Sequence, residues 1–221
     1  MVCIVSIKEG AHGTVSFGTD GGSLFRTRLS YLWHCAGAAA ISLPDPVMDD
    51  AVSSAAASPA ALLLGRQLPE ELLEQAAQVY NAEQQALRLL ARAEQHRAGL
   101  NAKLAAKKFP ANGIALALDW LEAAGLLDDR RYARFWITQR VRRHAEGPSS
   151  LSAALAQRGV GSPAVRSALQ QFLSGATRRE VLATAARLLD RKHPDKDGLR
   201  YALRRLGWTS ADLQRYFEEL E

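Results

Sequence analysis

Cysteine is almost missing from this chain: its 221 residues contain two, Cys3 and Cys35. Their separation matches no metal-ligating or redox spacing, which excludes a disulfide framework and a Cys-X-X-Cys centre. Aromatic residues make up only 7% of the sequence. No apolar run approaches the roughly 18 residues a membrane-spanning helix needs. No basic segment followed by an apolar one opens the chain, so a soluble, cytoplasmic protein is expected rather than a secreted one. β-branched residues are sparse, whereas 39 residues are alanine. Alanine is the strongest helix former and packs closely, which favours a mainly α fold.

Catalytic signatures are missing as well. There is no glycine-rich phosphate loop followed by Lys-Ser/Thr, no His-Glu-X-X-His and no Gly-X-Ser-X-Gly elbow. The five histidines, at 12, 34, 96, 144 and 193, stand singly. A lone His at a helix end is more often a cap or a surface residue than a metal ligand. No enzyme, metal site or cofactor is expected.

What is present is unevenly spread. The net charge is +5, yet residues 1–65 hold three Lys/Arg against five acids, and residues 66–221 hold 25 against 18. An acidic partner is therefore to be sought in the second part. Residues 1–35 carry short β-type runs around Val2–Ile7 and Thr14–Phe17, a turn at Asp20-Gly21-Gly22 and a short helix around Arg28–Trp33. They read as a hairpin or three-stranded extension that must lean on something else. Residues 36–65, rich in Ala, Ser and Pro, read as a linker. From Pro69 the pattern is helical, with Glu70 and Glu71 where a helix N-terminus favours acids. Residues 66–221 are expected to fold and act without the rest.

That second part repeats itself. Leu100, Leu104 and Phe109 recur 51 residues on as Leu151, Leu155 and Val160, and 48 residues further as Leu199, Leu203 and Trp208. Ile114, Leu118 and Leu121 recur as Val165, Leu169 and Phe172, then as Leu213, Phe217 and Leu220. Each copy has an upstream helix, and Gly147-Pro148 and His193-Pro194 break the chain before the middle helices of the second and third copies. The pattern predicts three tandem three-helix units, at about 80–127, 128–175 and 176–221, in an elongated array with a small β-type N-terminal extension.

Basic residues fall in rows on these helices. At 100° per residue, Arg131, Arg134, Thr138 and Arg142 lie within about 80° of one another, with Phe135 at the edge and Arg143 beside the row's end. An aromatic beside a basic stripe suits a partner with phosphate and stackable or apolar surface, although Phe135 packing on a neighbouring repeat is the blander alternative. Tyr132, Ala133 and Trp136 make the opposite, buried face. Arg140 falls within it, so it is expected to need a buried carboxylate, from Asp119, Glu122 or Asp129, whose loss would cost roughly 3–5 kcal/mol. Lys196, Arg200 and Arg204 form an i, i+4, i+8 row, Arg187 and Arg191 a pair, and Lys103, Lys107 and Lys108 a third group. Each row alone is an ordinary solvated face; three in one array favour a binding surface. The residues leave two classes open, a protein-binding regulator and a nucleic-acid-binding helical repeat.

Several of these stretches resemble the RecX family, regulators of the RecA recombinase. They are Ala86–Arg92 with Leu100–Lys108, and above all Leu126-Leu127-Asp128-Asp129-Arg130-Arg131-Tyr132-Ala133-Arg134. The likeness continues through Arg140–Arg143, Gly147-Pro148, Leu151, Leu155 and Arg158-Gly159-Val160. It covers roughly residues 80–221. Departures are Ala93-Glu94-Gln95-His96, where the family often has Arg-Glu-X-Ser, and Ser149-Ser150, where basic residues are common. The resemblance implies a monomeric, non-enzymatic regulator of recombination and DNA repair. Such a protein binds RecA and its single-stranded DNA filament and limits filament extension, ATPase and strand exchange; some members also bind DNA.

Overall fold

The computed structural model describes residues 1–43, 58–190, 192–193 and 195–219. Near the N-terminus the alternating apolar residues build strands: β1 (Val2–Glu9), β2 (Thr14–Thr19) and β3 (Leu24–Arg28). Asp20 fixes the turn between β2 and β3, its Oδ1 accepting from the backbone N–H of Cys3 at 2.9 Å and of Gly21 at 3.0 Å. A fourth strand, β4 (Gln67–Leu68), completes an antiparallel sheet in the order β3-β2-β1-β4. The expected three-stranded extension is thus a four-stranded sheet, because Val2 and Cys3 pair with Leu68 and Gln67.

The expected linker is corrected in the same way at both ends. Helix α1 (Leu29–Ala38) runs into it, and Ala60 and Leu63 are fully buried. Gly65 N–H donates to Ile4 O at 2.8 Å, and Ile4 N–H donates to Arg66 O at 3.0 Å. An Ala/Ser/Pro-rich composition hides a stretch whose backbone is paired with a strand. Residues 44–57 of the expected linker lie outside the described residues, as do Arg191, Pro194 and Leu220.

The chain divides into two compact units: residues 1–89 with 101–124, and residues 90–100 with 125–221. In the first unit, α2 (Glu70–Leu90) lays Leu72, Leu73, Ala76 and Val79 into one core with Ile4, Val15 and Phe17 of the sheet and Leu32 of α1. Residues 66–221 therefore do not carry a complete core of their own. Without the sheet, this stripe of α2 would face water, at roughly 25 cal/mol for each Å² exposed. A polar cluster sits inside the same core. Glu83 of α2 takes a two-pronged ion pair from Arg28, with Nε and Nη2 each 2.6 Å from a carboxylate oxygen. Tyr31 OH donates to Glu83 Oε2 at 2.8 Å, Arg28 Nη1 donates to His12 O, and the guanidinium carbon lies 3.7 Å from the centre of the Trp120 ring.

The remaining helices fall into the expected triplets. After α2 come α3 (Arg97–Ala106) and α4 (Ala111–Ala123); then α5 (Asp129–Val141), α6 (Pro148–Gln157) and α7 (Ser162–Phe172); then α8 (Gly175–Asp190), α9 (Lys196–Arg205) and α10 (Ser210–Glu218). The Leu-Leu-aromatic signature now has a physical cause. Each middle helix stops in a residue at positive φ: Lys108 (64°), Gly159 (82°) and Gly207 (90°). The next residue's N–H then reaches back five positions, Phe109 to Leu104 O, Val160 to Leu155 O and Trp208 to Leu203 O, at 3.1–3.3 Å. This is the Schellman stop, which brings an apolar residue past the helix end onto one inside it.

Within the second unit, consecutive copies are latched at these stops. The His96 ring Nε2 lies 2.8 Å from Arg158 O, and Gly147 N–H, at the matching position one copy later, donates to Leu206 O at 2.7 Å. Ser149 N–H donates to Gly207 O at 3.2 Å, and Trp208 Nε1–H to Ala145 O at 3.0 Å. Such close backbone approach explains Gly147. A Cβ there would sit 2.5 Å from Gly207 C and from Trp208 N.

Candidate interaction surface

Helix α5 carries the surface the sequence singles out. Asp128 caps it, Oδ1 accepting from the N–H of Arg130 at 2.8 Å and of Arg131 at 3.3 Å. Ala133, Ile137 and Val141 turn inward, packing with Leu151, Leu155, Val160, Val165 and Ala168, with Tyr132 and Trp136 partly buried against them. Arg134 and Phe135 are exposed on the helix, and Arg142 and Arg143 are exposed just past its last residue, Val141. Phe135 is 55% exposed, so it does not pack on a neighbouring repeat. The exposed Phe135 ring and the neighbouring Arg134 offer apolar contact and positive charge within one helical turn.

Arg131 departs from expectation. Its Nε lies 2.7 Å from Glu94 Oε1, Nη1 donates to Gly125 O at 3.0 Å and Nη2 to Leu126 O at 2.9 Å. The side chain clamps two loops, with one N–H of each of its three nitrogens committed to them. The helical wheel puts Arg131 on the solvent stripe, and its side chain is 38% exposed, but loops from either side tether it. Arg140 is corrected too. Its partner is Glu146, with Nε and Nη2 at 2.8 and 2.7 Å, and none of the three acids expected from the sequence. The pair is not buried: the side chains are 35% and 19% exposed. The hydrogen bond from Arg140 holds the Glu146 carboxyl below its ordinary range, with burial opposing. Asp129, one of the expected partners, instead accepts from Arg97 N–H at 2.8 Å.

The third copy's row is exposed, but not wholly uncommitted. The charged ends of Lys196 and Arg200 lie 5.8 and 5.4 Å from the centre of the Phe217 ring, while Arg204 is exposed. Arg187 is exposed and folds back on its own helix, to Ala183 O at 3.3 Å and Thr184 Oγ1 at 3.2 Å; its expected pair partner, Arg191, lies outside the described residues. Lys103, Lys107 and Lys108 are exposed and belong to the first unit. Of the thirteen residues picked out, the fold thus leaves Arg134 and Phe135 exposed on α5 with Arg142 and Arg143 exposed just past its end, and ties Arg131 to neighbouring loops. The sequence reading passed over Tyr201, 64% exposed with the Arg205 guanidinium 6.0 Å from its ring. Its i, i+4 spacing to Arg205 was the available signal. It also passed over Arg158, 4.8 Å from the Trp136 ring centre.

Comparison with known proteins bears on what this surface belongs to. Residues 128–169, from the α5 cap into α7, match the family model described as RecX, second three-helix domain. The Regulatory protein RecX of a Thermus thermophilus strain is 46% identical over 107 residues, covering 48% of this chain and 70% of that protein. The chain belongs to the RecX family. The Regulatory protein RecX of Mycobacterium avium (strain 104) is 31% identical over 121 residues, 55% of this chain and 70% of that protein. A crystal structure of regulatory protein RecX superposes with a TM-score of 0.66 at 20% identity, covering 99% of this chain and all of that one. RecX from Lactobacillus salivarius gives 0.58 at 18%, over 65% of this chain and 96% of that one. At those identities the two structures speak for the fold alone.

Proposed function

We propose that the chain is a cytoplasmic, non-enzymatic regulator that binds RecA and its single-stranded DNA filament and restrains filament extension, ATPase and strand exchange. The family membership supports this reading, and one observation carries it to residues. The exposed Arg134-Phe135 pair with Arg142 and Arg143 lies on the segment that matches the family's second three-helix domain. The test is RecA's DNA-dependent ATPase with the pure protein added below stoichiometry. The wild type suppresses it, and Arg134→Glu with Arg142→Glu and Arg143→Glu suppresses it far less at an unchanged melting temperature. Arg131 is left out of that variant because it clamps loops. Full suppression by the triple variant sinks this placement of the contact.

A second reading, direct binding of single-stranded nucleic acid without RecA, is favoured by Tyr201. An exposed ring beside Arg204 and Arg205 suits base stacking with phosphate contact. A steep salt dependence on naked oligo(dT), with no preference for filaments and loss on Tyr201→Ala, marks this reading instead.

A further inference from the structure

Between α5 and α8 lies a groove of about 300 Å³ lined by Thr138, Val141, Arg142, Phe172, Val181 and Thr184. Its charged rim residues are Arg142 on one side and Glu180 on the other. Phe135 stands on α5 one turn before Thr138, exposed. The threonines give the groove its character. Thr138 Oγ1–H donates to Arg134 O at 2.9 Å, and Thr184 Oγ1–H donates to Glu180 O at 2.8 Å. Both hydroxyl protons are spent on their own helices. Those two donors are lost to the edge of a base, which leaves the third threonine of the lining, Thr177, while Val141, Phe172 and Val181 supply apolar surface. Glu180 at the rim repels a phosphate, which argues against a nucleic acid strand here. Arg142 lines the groove, and Arg134 and Arg143, exposed on and just past α5 outside the lining, add positive charge that attracts carboxylates.

We propose that this groove is the docking site for a protein segment that inserts one bulky apolar side chain and presents acidic residues to Arg134, Arg142 and Arg143. Phe135 packs on the segment at the mouth of the groove. The inference rests on the reading above, in which the partner is a protein, and specifies which part of the surface it takes. Affinity then comes from an apolar anchor, and the arginines set orientation and on-rate.

Two measurements on the full chain test it, the first without RecA. An acidic hexapeptide with one Phe is titrated into the isotope-labelled protein, beside the same peptide with Ala in place of Phe. The Phe peptide is expected to shift the amide signals of Thr138, Val181 and Thr184, the Ala peptide is not, and Thr184→Trp, which fills the groove, abolishes the response. Equal responses to both peptides, or shifts confined to other helices, overturn the proposal. The second measurement compares binding to RecA–oligo(dT) filaments and to oligo(dT) alone. Thr184→Trp and, separately, Phe135→Ala are expected to weaken filament binding at least about tenfold, an anchor's worth, while leaving oligo(dT) binding unchanged. Equal loss on oligo(dT) puts nucleic acid in the groove and overturns the proposal. A wild type that responds to the Phe peptide but ignores filaments overturns the RecA reading and leaves the groove standing. Phe135→Ala changes an exposed residue, so its result does not depend on whether Thr184→Trp folds well.

Discussion

The two units hold themselves together by opposite means. The first buries charge: Arg28 and Glu83 sit at 7% and 0% side-chain exposure inside its apolar core. The second keeps its ion pairs partly exposed, Arg140 with Glu146 and Arg178 with Asp212, and joins its helical copies by backbone hydrogen bonds at Gly147 and Gly207. The contrast follows from what each must bring together. A sheet, α1 and α2 differ in geometry, and a side-chain cluster that reaches Arg28, Tyr31 and Glu83 at once fixes their mutual register. Repeated helices share one geometry, so the same loop-to-helix-end contact serves again one copy later.

The largest expected effect comes from breaking the first arrangement. Glu83→Ala leaves Arg28 buried without its carboxylate and Tyr31 OH without its acceptor, at a cost of roughly 3–5 kcal/mol. Chemical denaturation reads it. Replacing Arg28 and Glu83 together by apolar residues is expected to recover much of that loss, because no orphan charge remains. A Glu83→Ala loss under about 1 kcal/mol would mean that the core relaxes around the charge or admits water.

Second is the backbone latch. Gly147→Ala brings a Cβ against backbone atoms of Gly207 and Trp208, which cannot swing aside as a side chain does, so a loss of about 1–3 kcal/mol is expected. Gly161→Ala is the control: its nearest neighbour is Pro163 Cδ at 3.8 Å, ordinary contact. Equal melting temperatures for the two variants would show that the copies are not joined as described.

The repeat was legible in the sequence because the Schellman stop fixes it: an apolar residue must follow each helix end and meet a leucine five positions back. The α5 cap at Asp128 was legible for the same local reason, but its buried face was only partly so: Ala133 is buried as expected, while Ile137 and Val141 take the places expected for Tyr132 and Trp136, which are only partly buried. What stayed hidden came from contacts that no helical period encodes. Arg131 sits on the exposed stripe by angle, yet Glu94 and the carbonyls of Gly125 and Leu126 reach it from loops. Arg140 sits on the inward face by angle, yet Glu146, six residues on and past the helix end, lets its guanidinium turn outward. β4, two residues long, is too short to alternate visibly. The groove between α5 and α8 needs two helices brought together before it exists.

Third is the surface pair that contrasts with Arg28–Glu83. Arg140→Ala is expected to cost under about 1 kcal/mol, because both partners are partly hydrated. Its pH dependence has a definite sign. The Glu146 carboxyl is held below its ordinary range by Arg140, so the pair's contribution is full above the unfolded value near 4.3 and fades as pH falls through the lower folded value. Glu146→Gln should flatten that part of the acid limb and leave neutral pH nearly unchanged beyond the lost pair. An Arg140→Ala protein that loses several kcal/mol would return this residue to the buried class.

The smallest effect has the opposite sign, and it compares the copies directly. Gly159 and Gly207 stop the second and third middle helices, whereas the first copy stops in Lys108 at φ 64°. A side chain in that conformation places Cβ close to the following carbonyl oxygen, at a cost of roughly 1–2 kcal/mol that glycine avoids. Glycine, however, gives the unfolded chain more freedom, which offsets about 0.5–1 kcal/mol of the gain. Lys108→Gly should therefore stabilise the first unit by only about 0.5 kcal/mol. Lys108→Asn should fall between the lysine and the glycine, since Asn tolerates the left-handed region better than other side chains. Lys108→Ala removes the charge and the long side chain but keeps the Cβ, so it should give no gain. If Ala stabilises as much as Gly, the conformation at 108 is not the cause, and loss of the lysine's positive charge takes its place.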